Sequence, residues 1–90
     1  MRMDLKTFIS DIQRRELLAD RVGKSSAYMY QLGIGFRERK PSPQLAAEIE
    51  NATRAIGPEP VMAESMCDGY EFTRNRNRQI TGYSKRLAAA

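Results

Sequence analysis

The side chains best suited to recognise another molecule lie close together, between residues 26 and 31 of the 90-residue chain. The amide of Gln31 carries a donor and an acceptor side by side, so it can make paired hydrogen bonds to adenine. A serine hydroxyl serves several base edges, an alanine methyl can contact the thymine methyl, and a tyrosine hydroxyl can bond a base or a phosphate. These residue types indicate base contacts in duplex DNA by Ser26, Ala27, Tyr30 and Gln31.

Basic residues flank this segment. Residues 21–40 contain five basic residues and one acidic residue, and the whole chain has a formal net charge of +4. Arginine and lysine hold a protein in register on the DNA backbone without reading the sequence. We therefore predict phosphate contacts by Arg15, Lys24, Ser25, Arg37, Arg39 and Lys40.

Catalytic chemistry has few candidates in this sequence. The chain has no histidine, so the thiol of its one cysteine, Cys67, has no imidazole to activate it. Neither a glycine-rich phosphate loop nor a Cys/His metal-ligand spacing occurs. We therefore expect no enzymatic activity, no metal and no other cofactor, and we interpret Cys67 as a packing residue.

The expected location is the cytoplasm. No apolar run approaches the roughly 18 residues that a membrane-spanning helix needs, so we expect no membrane partner. Charged residues at Arg2, Asp4 and Lys6 occupy the place where a signal peptide has its apolar stretch. The single cysteine also fits a reducing compartment.

The spacing of apolar residues predicts helices that would position the candidate side chains. A second helix is expected with Leu18 and Val22 on its buried face, an N-cap at Ser10 or Asp11 and an end at Gly23. It follows a first helix, which is predicted by four apolar residues at helical spacing: Leu5, Phe8, Ile9 and Ile12.

The third predicted helix carries the candidate base contacts. Ser25 is its expected N-cap, and it runs from Ser26 to about Leu32, because Gly33 and Gly35 break helices. Met29 and Leu32 point inward, so the four candidate residues remain toward solvent. Together with the small Ala19 and the turn at Gly23, this spacing is typical of a helix-turn-helix, whose second helix enters the major groove.

The part of the chain after this motif begins with a fourth helix and is less regular beyond residue 60. Ser42 and Pro43 are a start signal for the fourth helix, which ends before Gly57. Residues 61–74 allow two interpretations: a short fifth helix over VMAESM, which we favour, or a small β-hairpin joined at Asp68-Gly69. Five apolar residues there are candidates for a dimer contact: Val61, Met62, Met66, Tyr70 and Phe72.

We thus predict a mainly α fold of four to five short helices. Residues 1–73 form a helix-turn-helix DNA-binding domain, and residues 74–90 form a mobile basic tail, because they contain few apolar residues.

The segments LKTFIS and RRELLADRVGKSSAYMYQLGIGFRERKPSPQLAAEIENAT resemble the Cro-like and YdaS-like regulators of phages and prophages. The shared features are a Ser-x-Ala-Tyr-x-Tyr-Gln helix, a basic loop and a Pro-Ser-Pro helix start, and the resemblance covers residues 4 to 66. It implies a λ-repressor-like domain that represses or switches transcription as a dimer. Two positions depart from the family pattern: Lys24 replaces an apolar residue, and Ser26 stands where many members have proline.

Two other classes of function remain open from the sequence. The chain can be an antitoxin or adaptor whose main partner is a protein bound through the acidic fourth helix and the basic tail. It can also bind single-stranded nucleic acid through the tail, where Arg74, Arg76 and Arg78 alternate with asparagines beside Tyr70 and Phe72.

Overall fold

A computed structural model describes residues 3–38 and 40–86, and within these ranges the predicted mainly helical architecture is confirmed. The helices precede one small antiparallel sheet of two strands. No helix in the described ranges is both long enough and apolar enough to cross a membrane. In chain order the elements are α1 (Leu5–Ile9), α2 (Ile12–Val22), α3 (Ser26–Ile34), a 3₁₀ turn (Phe36–Glu38), α4 (Pro43–Ile56), α5 (Ala63–Met66), β1 (Tyr70–Arg74) and β2 (Ile80–Lys85).

Side-chain caps begin α1, α2 and α4. The carboxylate of Asp4 accepts from the Thr7 backbone N–H at 2.7 Å, and that of Asp11 accepts from the Arg14 N–H at 3.0 Å. Ser42 caps α4, as predicted. Because the cap at Asp11 starts a new helix, the predicted extent of the first helix is wrong: α1 ends at Ile9, and Ile12 lies in α2 with 61% of its surface exposed.

The third helix is longer than predicted. It continues through Gly33 to Ile34 and ends at Gly35, which adopts the left-handed conformation with φ of 70°. Gly33 does not break the helix but allows α1 to approach α3 closely. A Cβ atom at position 33 would overlap the Ile9 Cδ1 atom and lie 3.0 Å from the Ile9 Cγ1 atom.

Helix α4 lies between two groups of buried side chains. One face contacts the main core formed with α1, α2 and α3, which includes the fully buried Phe8, Leu18 and Met29. The opposite face contacts a smaller cluster around Ala46 and Cys67. The thiol of Cys67 is a packing group there. Burial raises the pKa of this thiol, and the negative charge of Asp68 raises it further.

The C-terminal region folds differently from the prediction. The favoured short helix after residue 60 is confirmed as α5, but Asp68-Gly69 is a turn before β1 and does not join two strands. The hairpin pairs β1 with β2, in register Phe72 to Tyr83, around a turn at residues 75–79. The predicted mobile tail is therefore wrong for residues 74–86, whereas residues 87–90 lie outside the described ranges.

Polar side chains of α4 hold this hairpin in place. Asn51 donates to the Ile80 carbonyl at 3.1 Å and accepts from the Ile80 N–H at 2.8 Å, so one amide satisfies both backbone groups of the first residue in β2. Ile80 itself is buried in the smaller cluster. These contacts explain why a segment with few apolar residues is ordered.

Candidate nucleic-acid interface

A tight three-residue connection fixes α3 relative to α2. Gly23 ends α2 in the left-handed conformation with φ of 71°, and its N–H donates to the carbonyls of Ala19 and Asp20. Ser25 then caps α3, as predicted, by accepting from the Tyr28 N–H at 3.0 Å. Ala19, where a small residue was expected, is buried in the main core.

The outer face of α3 carries most of the predicted base contacts. Met29 and Leu32 are buried, and successive residues of an α-helix are rotated by about 100°, so positions 27, 30, 31 and 34 lie on the opposite face. Ala27 and Tyr30 are exposed and Gln31 is half-exposed. The structure thus brings these three predicted residues together on one accessible surface.

An open groove of about 590 Å³ lies on this face. Arg15 from α2 lies at one edge of the face: its Nε donates to the Ser26 Oγ at 3.1 Å, and its guanidinium lies 5.5 Å from the centre of the Tyr30 ring. Arg15 therefore orients both side chains and brings a positive charge to this edge. The groove is lined by Arg15, Ser26, Ala27, Tyr30, Gln31, Ile34 and Phe36.

Ser26 differs from the other three predicted base contacts. Its side chain is half-buried, and its hydroxyl oxygen already accepts the hydrogen bond from Arg15. A hydroxyl keeps one O–H donor after accepting, so Ser26 retains less freedom to choose a partner than a fully exposed serine would. Its clearest role in the structure is to couple α3 to α2.

A second basic edge lies on the other side of α3. Tyr28 is half-buried against the core, and the Nζ of Lys24 lies over its ring, 5.6 Å from the ring centre. Lys24 and Lys40 line one depression of about 460 Å³ with Tyr28 and the start of α4. Glu48 also borders this depression and lowers its net positive charge.

The remaining predicted phosphate contacts lie beyond the end of α3. Arg37 is exposed, has a left-handed backbone with φ of 53°, and stacks on the Phe36 ring at 5.2 Å. Phe36 lines the groove beside Arg15, so Arg37 extends the charge of that edge. Arg39 lies outside the described residues.

The residues predicted to form a dimer contact differ in their exposure. Val61 is fully buried in the main core, so its assignment to a dimer contact is corrected: its side chain is not accessible to a second copy. Met62, Met66, Tyr70 and Phe72 are half-exposed. Sequence reasoning missed Tyr83, which is 43% exposed and lies 6.2 Å from the Phe72 ring, because its strand was not expected.

Comparisons with protein families, with characterised proteins and with solved structures found no match for this chain.

The sequence also gave no signal for a charged cluster centred on Glu50, a fully buried residue of α4. Arg74 from β1 donates to both carboxylate oxygens, from Nε at 2.8 Å and from Nη2 at 2.6 Å. The Ala63 N–H and the Arg54 guanidinium complete the set at 2.8 and 3.0 Å. Burial alone would raise the pKa of Glu50, but the bonds from Arg74, Ala63 and Arg54 hold it below its ordinary value.

This cluster has a structural role. Arg74 also binds Glu64 of α5, so one guanidinium joins β1 to α4 and α5. Among the described residues no group of His, Cys, Asp and Glu side chains is arranged to hold a metal ion.

Proposed function

We propose that the chain is a sequence-specific regulator of transcription that binds duplex DNA, with α2 and α3 acting as a helix-turn-helix. The observation that carries this proposal is the outer face of α3. It presents Ala27, Tyr30 and Gln31 to solvent between two basic edges, one at Arg15 and one at Lys24 and Lys40.

This arrangement suits the major groove. The groove is about 12 Å wide and admits one α-helix, and a phosphate backbone borders it on each side. A helix that reads bases there needs hydrogen-bonding groups on its outer face and cations on both flanks. In α3 the Gln31 amide supplies the hydrogen-bonding groups, and the cations Arg15 and Lys24 lie on opposite flanks of the helix.

The role of each residue follows from its exposure. Gln31 reads a base through its amide, Ala27 contacts a thymine methyl, and the Tyr30 hydroxyl bonds a base or a phosphate. Arg15 binds phosphate while its Nε keeps Ser26 in place. Lys24, Arg37 and Lys40 supply further phosphate contacts without sequence preference.

We further propose that the regulator is Cro-like or YdaS-like and acts as a symmetric dimer. One nine-residue recognition helix contacts only a few base pairs, so a second copy is needed for useful specificity. The half-sites then lie about one helical turn, roughly 34 Å, apart. The half-exposed aromatic residues Tyr70 and Phe72, with the adjacent Tyr83, are the proposed dimer contact.

Selection of duplexes from a random pool tests the proposal. The wild-type chain is expected to enrich a sequence with inverted symmetry, and equilibrium titration should give two protomers per site. A pool that stays random contradicts the proposal of sequence-specific binding. An enriched site without symmetry, bound at a 1:1 ratio, contradicts the proposal of a symmetric dimer.

A protein partner, as expected for an antitoxin or adaptor, has less support. That alternative depended on an acidic fourth helix and a basic tail as free charges. In the structure Glu50 of α4 and Arg74 of the C-terminal region bind each other. The charges of these two residues are satisfied within the chain, whereas Glu48 of α4 and Arg76 and Arg78 of the C-terminal region remain exposed.

A further inference from the structure

The β-hairpin ends in a turn that carries exposed positive charge. Residues 70–86 contain five basic residues and one acidic residue, Glu71, which lies at the end of the hairpin away from the turn. Arg74 is bound to Glu50 and Glu64, and the other four basic residues lie at two places. Arg76 and Arg78 are in the turn, and Lys85 and Arg86 are at the opposite end of the hairpin.

The turn is fixed by hydrogen bonds. The Asn75 Oδ1 accepts from the N–H groups of Asn77 and Gln79 at 2.9 and 3.0 Å. The Asn75 N–H donates to the Gln79 carbonyl at 2.9 Å, and the Arg78 N–H donates to the Asn75 carbonyl at 2.9 Å. Two arginines are thus presented on a rigid support instead of a flexible tail.

The hairpin turn places a left-handed residue at position 78, directly after the turn closed by the Arg78 N–H and the Asn75 carbonyl. The Arg78 φ of 65° lies in the left-handed region, which asparagine or glycine adopts more easily than arginine. An arginine costs more stability in this conformation than asparagine or glycine would. The side chains of Arg76 and Arg78 are both exposed, so both are accessible to a partner outside the folded chain.

The base of the hairpin fixes the direction in which the turn projects. Asn51 holds Ile80, and Glu50 holds Arg74, at the two residues that border the turn. Both contacts come from α4, which also packs against α2. The turn therefore keeps a constant position relative to the helices that carry the candidate interface.

We propose that Arg76 and Arg78 form a second phosphate-binding surface, which contacts the backbone of duplex DNA outside the bases contacted by α3. This inference rests on the proposed function for the α3 part of the complex. Arginine binds phosphate with two parallel hydrogen bonds, and in the described part of the chain neither turn arginine belongs to an ion pair. The contact adds affinity and salt dependence but no base preference.

The test compares Arg76→Gln/Arg78→Gln with Lys85→Gln/Arg86→Gln, which removes the same charge at the other end of the hairpin. On the selected site with flanking duplex, the turn variant should bind about tenfold more weakly at about 0.1 M salt. Its slope of log affinity against log salt should be shallower by about 2, and its selected sequence should be unchanged. On a duplex trimmed to the selected site, the affinities of wild type and turn variant should converge.

Three results overturn the inference: an unchanged salt slope in the turn variant, an equal change in the control variant, or an equal loss on the trimmed duplex. Tighter binding of single strands than duplex, dependent on Arg76 and Arg78, also overturns it in favour of a single-stranded partner. If wild type selects no sequence but its binding to random duplex still depends on the turn, the proposed function fails and the turn surface stands.

Asn75→Ala separates fixed geometry from charge alone, because it removes the acceptor for two turn N–H groups and leaves both arginines in place. It is expected to weaken binding to the flanked duplex by a smaller factor than the double variant. Thermal unfolding of each variant checks that the hairpin remains folded.

Discussion

The carboxylate of Glu50 and the guanidinium of Arg74 are joined by two hydrogen bonds across 24 positions of the chain. Glu50 has no exposed surface, and Arg74 also reaches Glu64. This pair fastens the hairpin to the helices, because it is the charged contact between α4 and β1. The bonds to Glu50 and Glu64 also raise the pKa of Arg74.

Replacing Glu50 by glutamine is expected to destabilise the fold. Arg74 and Arg54 would then lack their buried counter-charge, and removing one partner of a buried pair costs about 3 kcal/mol or more. Urea unfolding of Glu50→Gln measures the loss. Glu48→Gln, on the exposed side of the same helix, should change the free energy of unfolding by less than about 0.5 kcal/mol. Equal effects of the two variants would show that the Glu50 cluster contributes no stability.

The same pair predicts how stability depends on pH. The folded-state pKa of Glu50 is lowered, so its contribution is complete above the unfolded value of about 4.3 and is lost as pH falls through the folded pKa. The difference in free energy of unfolding between wild type and Glu50→Gln should therefore be constant above about pH 6 and shrink in acid. A difference that grows in acid would contradict the lowered pKa.

Gly33→Ala is expected to lower stability although alanine favours helices. The new methyl would overlap the Ile9 side chain, which is 2% exposed and has little room to move. We expect a net loss of about 1–2 kcal/mol. Gly82→Ala is the control, because a Cβ atom there meets no atom within 4 Å.

A double variant identifies the contact. Ile9→Val removes the Cδ1 atom that lies nearest to the new methyl, so it should restore part of the stability lost in Gly33→Ala. Strict additivity of the two substitutions would place the cause of the loss elsewhere.

Asn51→Ala should loosen the hairpin. Without the amide, the Ile80 N–H and carbonyl lose their partners, at a cost of about 1–3 kcal/mol. Hydrogen exchange at the Ile80 amide should accelerate, while amides of the α1–α3 core change less. Asn77→Ala, in the exposed turn, is the matched control, and similar exchange in both variants would show that Asn51 does not hold β2.

Much of the helical part was predictable because its signals are local. Ser25 and Ser42 cap helices within three residues of themselves, and Gly23 ends α2 through its own backbone conformation. Gly33 was misread because its reason for being glycine is Ile9, on another helix.

The C-terminal region was less predictable for a similar reason. The low apolar content of residues 80–85 suggested a mobile segment. These residues are ordered because Asn51 and Glu50, polar residues of α4, provide the contacts that hold the hairpin. No local pattern indicates such pairs. On the candidate interface, the exposure of Ala27 and Tyr30 followed from helical spacing, whereas the bond from Arg15 to Ser26 required the crossing of α2 and α3.

The measurement that tests the central claim most directly compares Gln31→Ala with Lys40→Gln on the selected site and on random duplex. Gln31→Ala should lose about 1–3 kcal/mol on the selected site and much less on random duplex, because the paired amide bonds form only with the right base. Lys40→Gln should weaken both similarly and make the salt slope shallower by about 1. Equal weakening of both duplexes by Gln31→Ala, with thermal unfolding unchanged, would contradict the assignment of α3 as the recognition helix.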